Sequence, residues 1–337
     1  MCVLNLSGRV LPSNQRRTMA ELTEQLYLMR GDTVAKVSAF WTMLVLSGII
    51  ATAGVIGDST ATVIGAMIIA PLSTPIMGMA IAVVEGNGRR LATSAAFVAG
   101  GAVLVVLLGV LASLAVPHSA DLLANSQIAG RTSPRLTDLI AAVATGFAGA
   151  VGLARRDVSD VLPGVAIAIS LVPPLAVVGV TLGQGDVGLA FGALLLFASN
   201  VVALVLAGTL TFTAAGYATD AYEARGFPPR RAYLAIASLV AAVLVPLALN
   251  TAGNILVTVW TAQVRSAAED WLAGSGQSSV DAVQVGHDRA VVTVRSDEEL
   301  PPVEDLKARL APILPGTMDL TVVLERGRSI DTGPLSG

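Results

Sequence analysis

Seven apolar stretches punctuate the 337-residue chain, at 39–57, 61–84, 92–116, 136–153, 160–183, 187–214 and 232–258. Each comes near or exceeds the roughly 20 residues that cross a bilayer as a helix. Few folds are open to such a chain, because every backbone N–H and C=O in hydrocarbon needs an internal partner, and a helix supplies it within one segment. Charged residues make up only 13% of the chain, against about 25% in soluble domains. The net charge of −3 argues against a nucleic-acid partner. With Cys2 the only cysteine, and His118 and His287 far apart, no metal-ligand pattern is present.

Lysine and arginine placement sets the expected orientation. If every stretch crosses once, one side collects Arg9, Arg16, Arg17, Arg30, Lys36, Arg89, Arg90, Arg155, Arg156, Arg225, Arg230 and Arg231. The other side has Arg131, Arg135 and Arg265. The N-terminus is therefore expected in the cytoplasm of a prokaryotic cell with the spans in its plasma membrane, and the segment after the seventh span outside. Residues 1–38 form an N-terminal lead without a secretory signal; Met1 and Met19 are both candidate starts, and 1–18 read as a poorly ordered segment. Leu22, Leu26 and Met29 share a helical face over 19–30, which reads either as an amphipathic helix on the membrane surface or as a solvated tail.

Charge and alternation return over 262–326. There the pattern predicts helix 262–273, strand 280–286, strand 289–295, helix 301–313 and strand 318–325, a small α-β-β-α-β domain, followed by a disordered tail at 327–337.

The chain also matches itself at an offset of 99. Gly65 falls on Gly164, Leu72 on Leu171, Pro75 on Pro174, Gly86 on Gly185 and Asp58 on Asp157. Three spans per unit is an odd number, so the second unit (136–216) would enter the membrane from the face opposite the first (39–116), an arrangement common in secondary transporters. Chance similarity of two Pro/Gly-containing apolar helices is the other reading. The expected fold is thus an all-α polytopic membrane domain (39–258) with a 3+3 inverted repeat of Pro-broken helices plus a seventh span, then the small α+β domain.

Proline carries the candidate site. Pro71 and Pro75 fall within the second stretch, Pro173 and Pro174 within the fifth. Each removes an N–H and clashes with the carbonyl four residues back, leaving the oxygens of Met67, Pro71, Ile169 and Ser170 without their usual donors. The two breaks are expected to face each other at the centre. Thr74 is expected to cap a half-helix starting at Pro75, with the hydroxyls of Ser73 and Thr74 beside it. Half-helix starts favour anions and freed carbonyls favour cations, so the pattern leaves the sign of a solute open. It also leaves open whether the prolines build a solute site or only shape packing. Asn200, deep in the sixth stretch, either lines the path or bonds between helices. Asp58 and Asp138 are candidate coupling carboxylates, though both fall near span ends, where water would solvate them. Gly146, Gly149, Gly152, Gly188 and Gly192 have spacings that suit close helix contact. Gly183–Gly188 matches a nucleotide-type glycine pattern by letter but joins two apolar stretches, and no nucleophile or metalloprotease motif is present, so neither an enzyme nor a cofactor is expected.

The segments Ser59-Thr-Ala-Thr-Val-Ile-Gly-Ala-Met-Ile-Ile-Ala-Pro-Leu-Ser-Thr-Pro-Ile-Met-Gly78, Leu162–Gly179 and Gly192–Asn200 resemble the DUF389 family of prokaryotic hydrophobic membrane proteins over roughly 36–216. That resemblance implies a multi-pass membrane domain and no established activity. It also implies that Met and Gly are common at the positions of Ser73 and Thr74, so a role for these hydroxyls would belong to this chain rather than to the family. The C-terminal order of elements is similar to BON-like domains, which are associated with envelopes and membrane surfaces. Two functions are expected to compete. One is a transporter or channel for a small solute or ion, embedded in the lipid bilayer and associating as a homo-oligomer. The other is a membrane sensor or scaffold whose external domain binds an envelope partner.

Overall fold

The computed structural model describes residues 12, 14–114, 122–132, 136–158, 171–225, 238, 241, 259–273, 278–285, 289–296, 300–314 and 318–325. It divides into two compact units, Met1–Leu247 and Ala248–Gly337.

In the first unit α1 spans Met19–Leu26, α2 Thr33–Ile56, α3 Thr60–Ile69, α4 Ser73–Val84, α5 Gly88–Ser113, α6 Ser126–Thr132, α7 Leu136–Ala154, α8 Val172–Gly183, α9 Val187–Ala214 and α10 Tyr217–Arg225. By length and composition α2, α5, α7 and α9 can each cross a bilayer, and α3 with α4 forms a fifth candidate span bent by 50°. Short polar side chains start these helices. Asp32, Ser59, Asn87 and Asp186 accept from the N–H groups of Ala35, Thr62, Arg90 and Leu189, which satisfies one orphan donor at each helix start. The seventh stretch, 232–258, and residues 160–170 of the fifth lie outside the described residues, apart from 238 and 241.

The offset of 99 reappears in the coordinates. α4 and α8 have register-equivalent bounds, 73–84 and 172–183. Gly86 and Gly185 both take positive φ, 62° and 85°, ahead of the equivalent caps Asn87 and Asp186. α4 packs on both α5 and α9, and α8 packs on both α5 and α9, so the two short helices have the same pair of long neighbours.

Two further expectations change. α1 is short, and its Leu22 and Leu26 are buried in the protein core while Met29 is 59% exposed. The helix ends before Met29, so the three residues do not share a face. Residues 14–18 are tied down rather than loose. The Arg17 N–H bonds the Ala154 carbonyl at 2.9 Å, the Arg156 N–H bonds the Gln15 carbonyl at 2.8 Å, and Tyr217 Oη donates to the Arg17 carbonyl at 2.7 Å.

In the second unit, residues 259–272 are helical (α11). β1 Ser279–Val285, β2 Arg289–Arg295, α12 Val303–Leu310 and β3 Asp319–Glu325 follow. The sheet order is β1-β2-β3, with β1–β2 antiparallel and β2–β3 parallel. The alternation expected in β2 places Ala290, Val292 and Val294 fully inside. Val264, Ala268 and Trp271 of α11 and Leu306 and Leu310 of α12 cover that face, and Trp271 Nε1 donates to the Pro302 carbonyl at 3.1 Å. The turn at 286–288 lies outside the described residues.

Candidate functional site

The second stretch breaks where proline requires it, but the restart is earlier than expected. α4 begins at Ser73, its N-cap position is Leu72, and no side chain caps it. Thr74 is therefore not the cap. Pro75 sits in the first turn, where its missing N–H would have had no intrahelical acceptor, so the helix can include Ser73 and Thr74 ahead of it. α8 starts in the same way, with Leu171 at the uncapped N-cap position and Pro173 and Pro174 in the first turn. Pro75, Pro173 and Pro174 are buried and Pro71 half-buried. Ser170 lies outside the described residues.

The oxygens at the first break are not bare. The Met67 carbonyl accepts from the Ala70 N–H at 3.4 Å, and the Pro71 carbonyl from the Thr74 N–H at 3.3 Å. Ser47 Oγ, fully buried on α2, donates to the Ala66 carbonyl at 2.9 Å. Tight i+3 bonds and one side chain from a neighbouring helix thus answer the carbonyls released by proline. The hydroxyls of Ser73, 8% exposed, and Thr74, half-buried, bond no described residue. The polarity left at this restart is therefore that of hydroxyls and N–H groups. α4 and α8 each pack on both α5 and α9, and the expected facing of the two breaks involves residues 159–170, which lie outside the described residues.

Asn200 is 2% exposed on α9. It occupies the repeat position of Gly101, where an added Cβ would lie 3.0 Å from Leu72 Cδ2 at the α4 restart. Asp138 is half-buried in the first turn of α7. Asp58 is exposed in the turn after α2 with a φ of 47°. Its Oδ1 accepts from Ser126 Oγ at 2.7 Å and from the Gln127 N–H at 3.2 Å. The Ser126 hydroxyl, then the Gln127 N–H, hold this carboxyl below the usual range. It stays charged and ties two connections together. Of the glycines expected at helix contacts, Gly146 meets Ala207 and Leu204 of α9 and Gly192 meets the Thr132 carbonyl, whereas Gly188 meets only Asp186 of its own cap.

Polar contacts sort the connections into two groups. Asp58 meets Ser126 and Gln127, Asn125 Nδ2 reaches the Val55 carbonyl, and Gln184 Nε2 reaches the Ser113 carbonyl. In the other group Tyr27 Oη donates to Glu85 at 2.8 Å, Arg90 grips both Glu85 oxygens at 2.8 Å, Arg156 pairs with Glu21 at 2.8 Å, and Arg16 pairs with Asp220 at 2.6 Å. Glu85 is only 5% exposed. Burial first, then the Glu85 carboxylate, push the Tyr27 phenol far up, so it remains a donor. The short-range charge pattern made the arginines visible in sequence; the Tyr27–Glu85 contact, 58 positions apart, left no local signal.

These features define a mostly helical, apolar protein with four to five candidate membrane spans among the described residues and a small C-terminal sheet. Residues 67–206 match the family model described as "Domain of unknown function (DUF389)", a narrower range than the resemblance implied. An uncharacterized protein of Methanocaldococcus jannaschii is 33% identical over 195 residues, covering 58% of this chain and 60% of that protein. The chain thus spans less than two thirds of its relative's length. No solved structure matches.

Proposed function

We propose that the protein is a multi-pass protein of a prokaryotic plasma membrane that carries a small solute or ion past the starts of α4 and α8, as a transporter or channel. One observation carries this reading. The interior holds two register-equivalent helix starts without side-chain caps, at Leu72 and Leu171, and at the first of them the Ser73 and Thr74 hydroxyls have no described partner. Neither hydroxyl oxygen is fully enclosed, so both are open to hydrogen bonding with water or a solute. Because the nearby carbonyls are occupied by protein donors, the reading favours an anionic or acceptor-rich solute.

The proposal includes the inverted repeat. The grouping of polar contacts supports it, since repeat mates fall in opposite groups: Asp58 bonds Ser126, while Asp157 lies beside the Arg155–Arg156 cluster; Glu85 bonds Tyr27, while its mate Gln184 bonds Ser113. Gly88 and Val187 are repeat mates, both exposed at helix starts. In a Cys2→Ser background, cysteines at these two positions should react with impermeant thiol reagent from opposite sides of the membrane. Labelling from one side would end the inverted reading. Flux of small anions through liposomes holding the purified folded protein tests transport itself; absence of flux for every ion and polar solute tried, with the fold intact, would remove it.

The alternative, a membrane scaffold with its C-terminal domain outside, draws support from the occupied carbonyls at the first break, which is what a kink built only for packing needs. Deleting 262–326 separates the two. A transporter keeps flux, and a scaffold loses its phenotype.

A further inference from the structure

A cavity of about 430 Å³ opens between the segment following α1 and the first turns of α5. Arg30, Arg89 and Arg90 line it, and no carboxylate does. Thr93 and Ser94 add hydroxyls, and Leu26, Leu28, Met29 and Phe97 add an apolar wall. The three guanidiniums are not equivalent. Arg90 is committed to buried Glu85 through two 2.8 Å contacts and lies over the Tyr27 ring at 4.8 Å. Arg30 reaches the Thr23 hydroxyl. Arg89 is exposed, and its side chain forms no ion pair or hydrogen bond among the described residues. Neither Arg30 nor Arg89 is neutralised by a carboxylate, so the opening carries uncompensated positive charge over a floor already fixed by the Glu85–Arg90–Tyr27 cluster.

The repeat shows that this charge is not demanded by the fold. At the equivalent positions of the second unit, Arg89, Arg90, Thr93 and Ser94 are replaced by Gly188, Leu189, Gly192 and Ala193. α9 nevertheless starts in the same way as α5, from a capping side chain after a positive-φ glycine. The same helix start is therefore built without arginine, and the basic cavity is an addition to one unit.

We propose that this cavity binds a phosphate-type oxyanion through Arg30 and Arg89. Planar guanidinium forks match phosphate oxygens in pairs, hydroxyls can donate to the remaining ones, and the apolar wall beside the fork suits the glycerol and acyl carbons of an anionic lipid. The headgroup of a membrane lipid and free phosphate share this recognition chemistry. Pro75 in the first turn of α4 also lines the cavity, so the site borders the proposed solute pathway, but lipid or phosphate binding reads it independently of flux.

The test uses the full chain in nanodiscs of phosphatidylcholine, with and without phosphatidylglycerol, and separately in phosphatidylcholine with inorganic phosphate. Thermal midpoint and native mass spectrometry read binding. Arg89→Gln and Arg30→Gln remove one guanidinium each while leaving the Glu85–Arg90 pair; Arg309→Gln, on exposed α12 surface, is the charge-matched control. Binding of phosphatidylglycerol that weakens at least about tenfold in both cavity variants and stays unchanged in the control supports a lipid headgroup as occupant. The same arginine dependence with inorganic phosphate alone supports the site with a soluble occupant. Binding of neither, or equal weakening in Arg309→Gln, overturns the proposal.

Discussion

Gly109 and Gly179 meet backbone to backbone: a Cβ placed on Gly179 would stand 2.7 Å from the Gly109 α-carbon and against the Val106 carbonyl. At the offset of 99, Gly109 maps onto Gly208 and Gly179 onto Ala80, and those two mates also touch. A Cβ on Gly208 would lie 2.8 Å from that of Ala80. One contact joins α8 to α5 and the other α4 to α9, so positions related by the offset of 99 make a similar close approach twice. Small residues permit such close approach between apolar helices, where packing rather than water exclusion drives association.

The two copies of this contact should respond differently to a methyl group. Gly179→Ala drives a Cβ into main-chain atoms that cannot move aside, and should cost about 1–3 kcal/mol. Gly208→Ala meets the Ala80 Cβ at 2.8 Å and the Met77 sulfur at 2.9 Å; the thioether can turn away while the Ala80 Cβ is fixed to its backbone, so the loss should be smaller than at Gly179, about 1 kcal/mol. Unfolding in mixed micelles reads both. Equal losses would show that the backbone contact is not what limits approach at Gly179.

Glu85 holds the α4–α5 corner to the N-terminal segment through Arg90 and Tyr27. Glu85→Ala removes the acceptor shared by a phenol and a guanidinium. The expected loss is about 2 kcal/mol, reduced from the fully buried case because Arg90 retains access to water. Glu85→Gln keeps an acceptor for Tyr27 and should lose less. The thermal midpoint of the two variants in detergent orders them, and a larger loss for the glutamine variant would contradict the geometry.

Much of this architecture was legible in the chain. The sixth stretch, 187–214, has the bounds of α9 because Gly185 and Asp186 mark its start with a turn and a cap. The β2 alternation survived intact because period-two patterning reports one buried face. The break at Pro71 was equally visible, yet the α4 restart lay two residues earlier than Pro75 suggested, since a first-turn proline is compatible with helix on either side of it. The occupied carbonyls could not be read at all. Ser47 and Ala66 belong to different helices, and nothing local pairs them. The basic cavity was half visible: its arginines registered as an orientation signal, but joining Arg30 to Arg89 needs the fold.

Acid should loosen the N-terminal segment. The Arg156 side chain, then the Thr18 N–H, hold the Glu21 carboxyl at about 2, below its ordinary 4.5. A carboxyl lowered by folding contributes stability that is complete above 4.5 and lost as pH falls toward about 2. Hydrogen exchange over 14–26, corrected for intrinsic rate, should therefore rise across that interval. Glu21→Gln should show the faster exchange already at neutral pH and no further rise of this origin. Exchange that is flat with pH in the parent protein would remove Glu21 from the attachment.

The last prediction concerns the oxygen that Ser47 closes. Because the Ala70 N–H turns to Met67, the Ala66 carbonyl at the end of α3 loses its usual i+4 donor and accepts from the Ser47 hydroxyl. Ser47→Ala leaves that oxygen inside the protein without its donor and should cost about 1 kcal/mol, the scale of one interhelical hydrogen bond. Ser47→Thr, which restores a hydroxyl, should recover part of it. Under the transport reading a bare carbonyl next to the α4 restart adds an acceptor to a surface of donors, so the ratio of anion to cation flux should fall in Ser47→Ala liposomes. A stability loss with flux and selectivity unchanged would place the α3–α4 break away from the solute and leave Ser47 as packing alone.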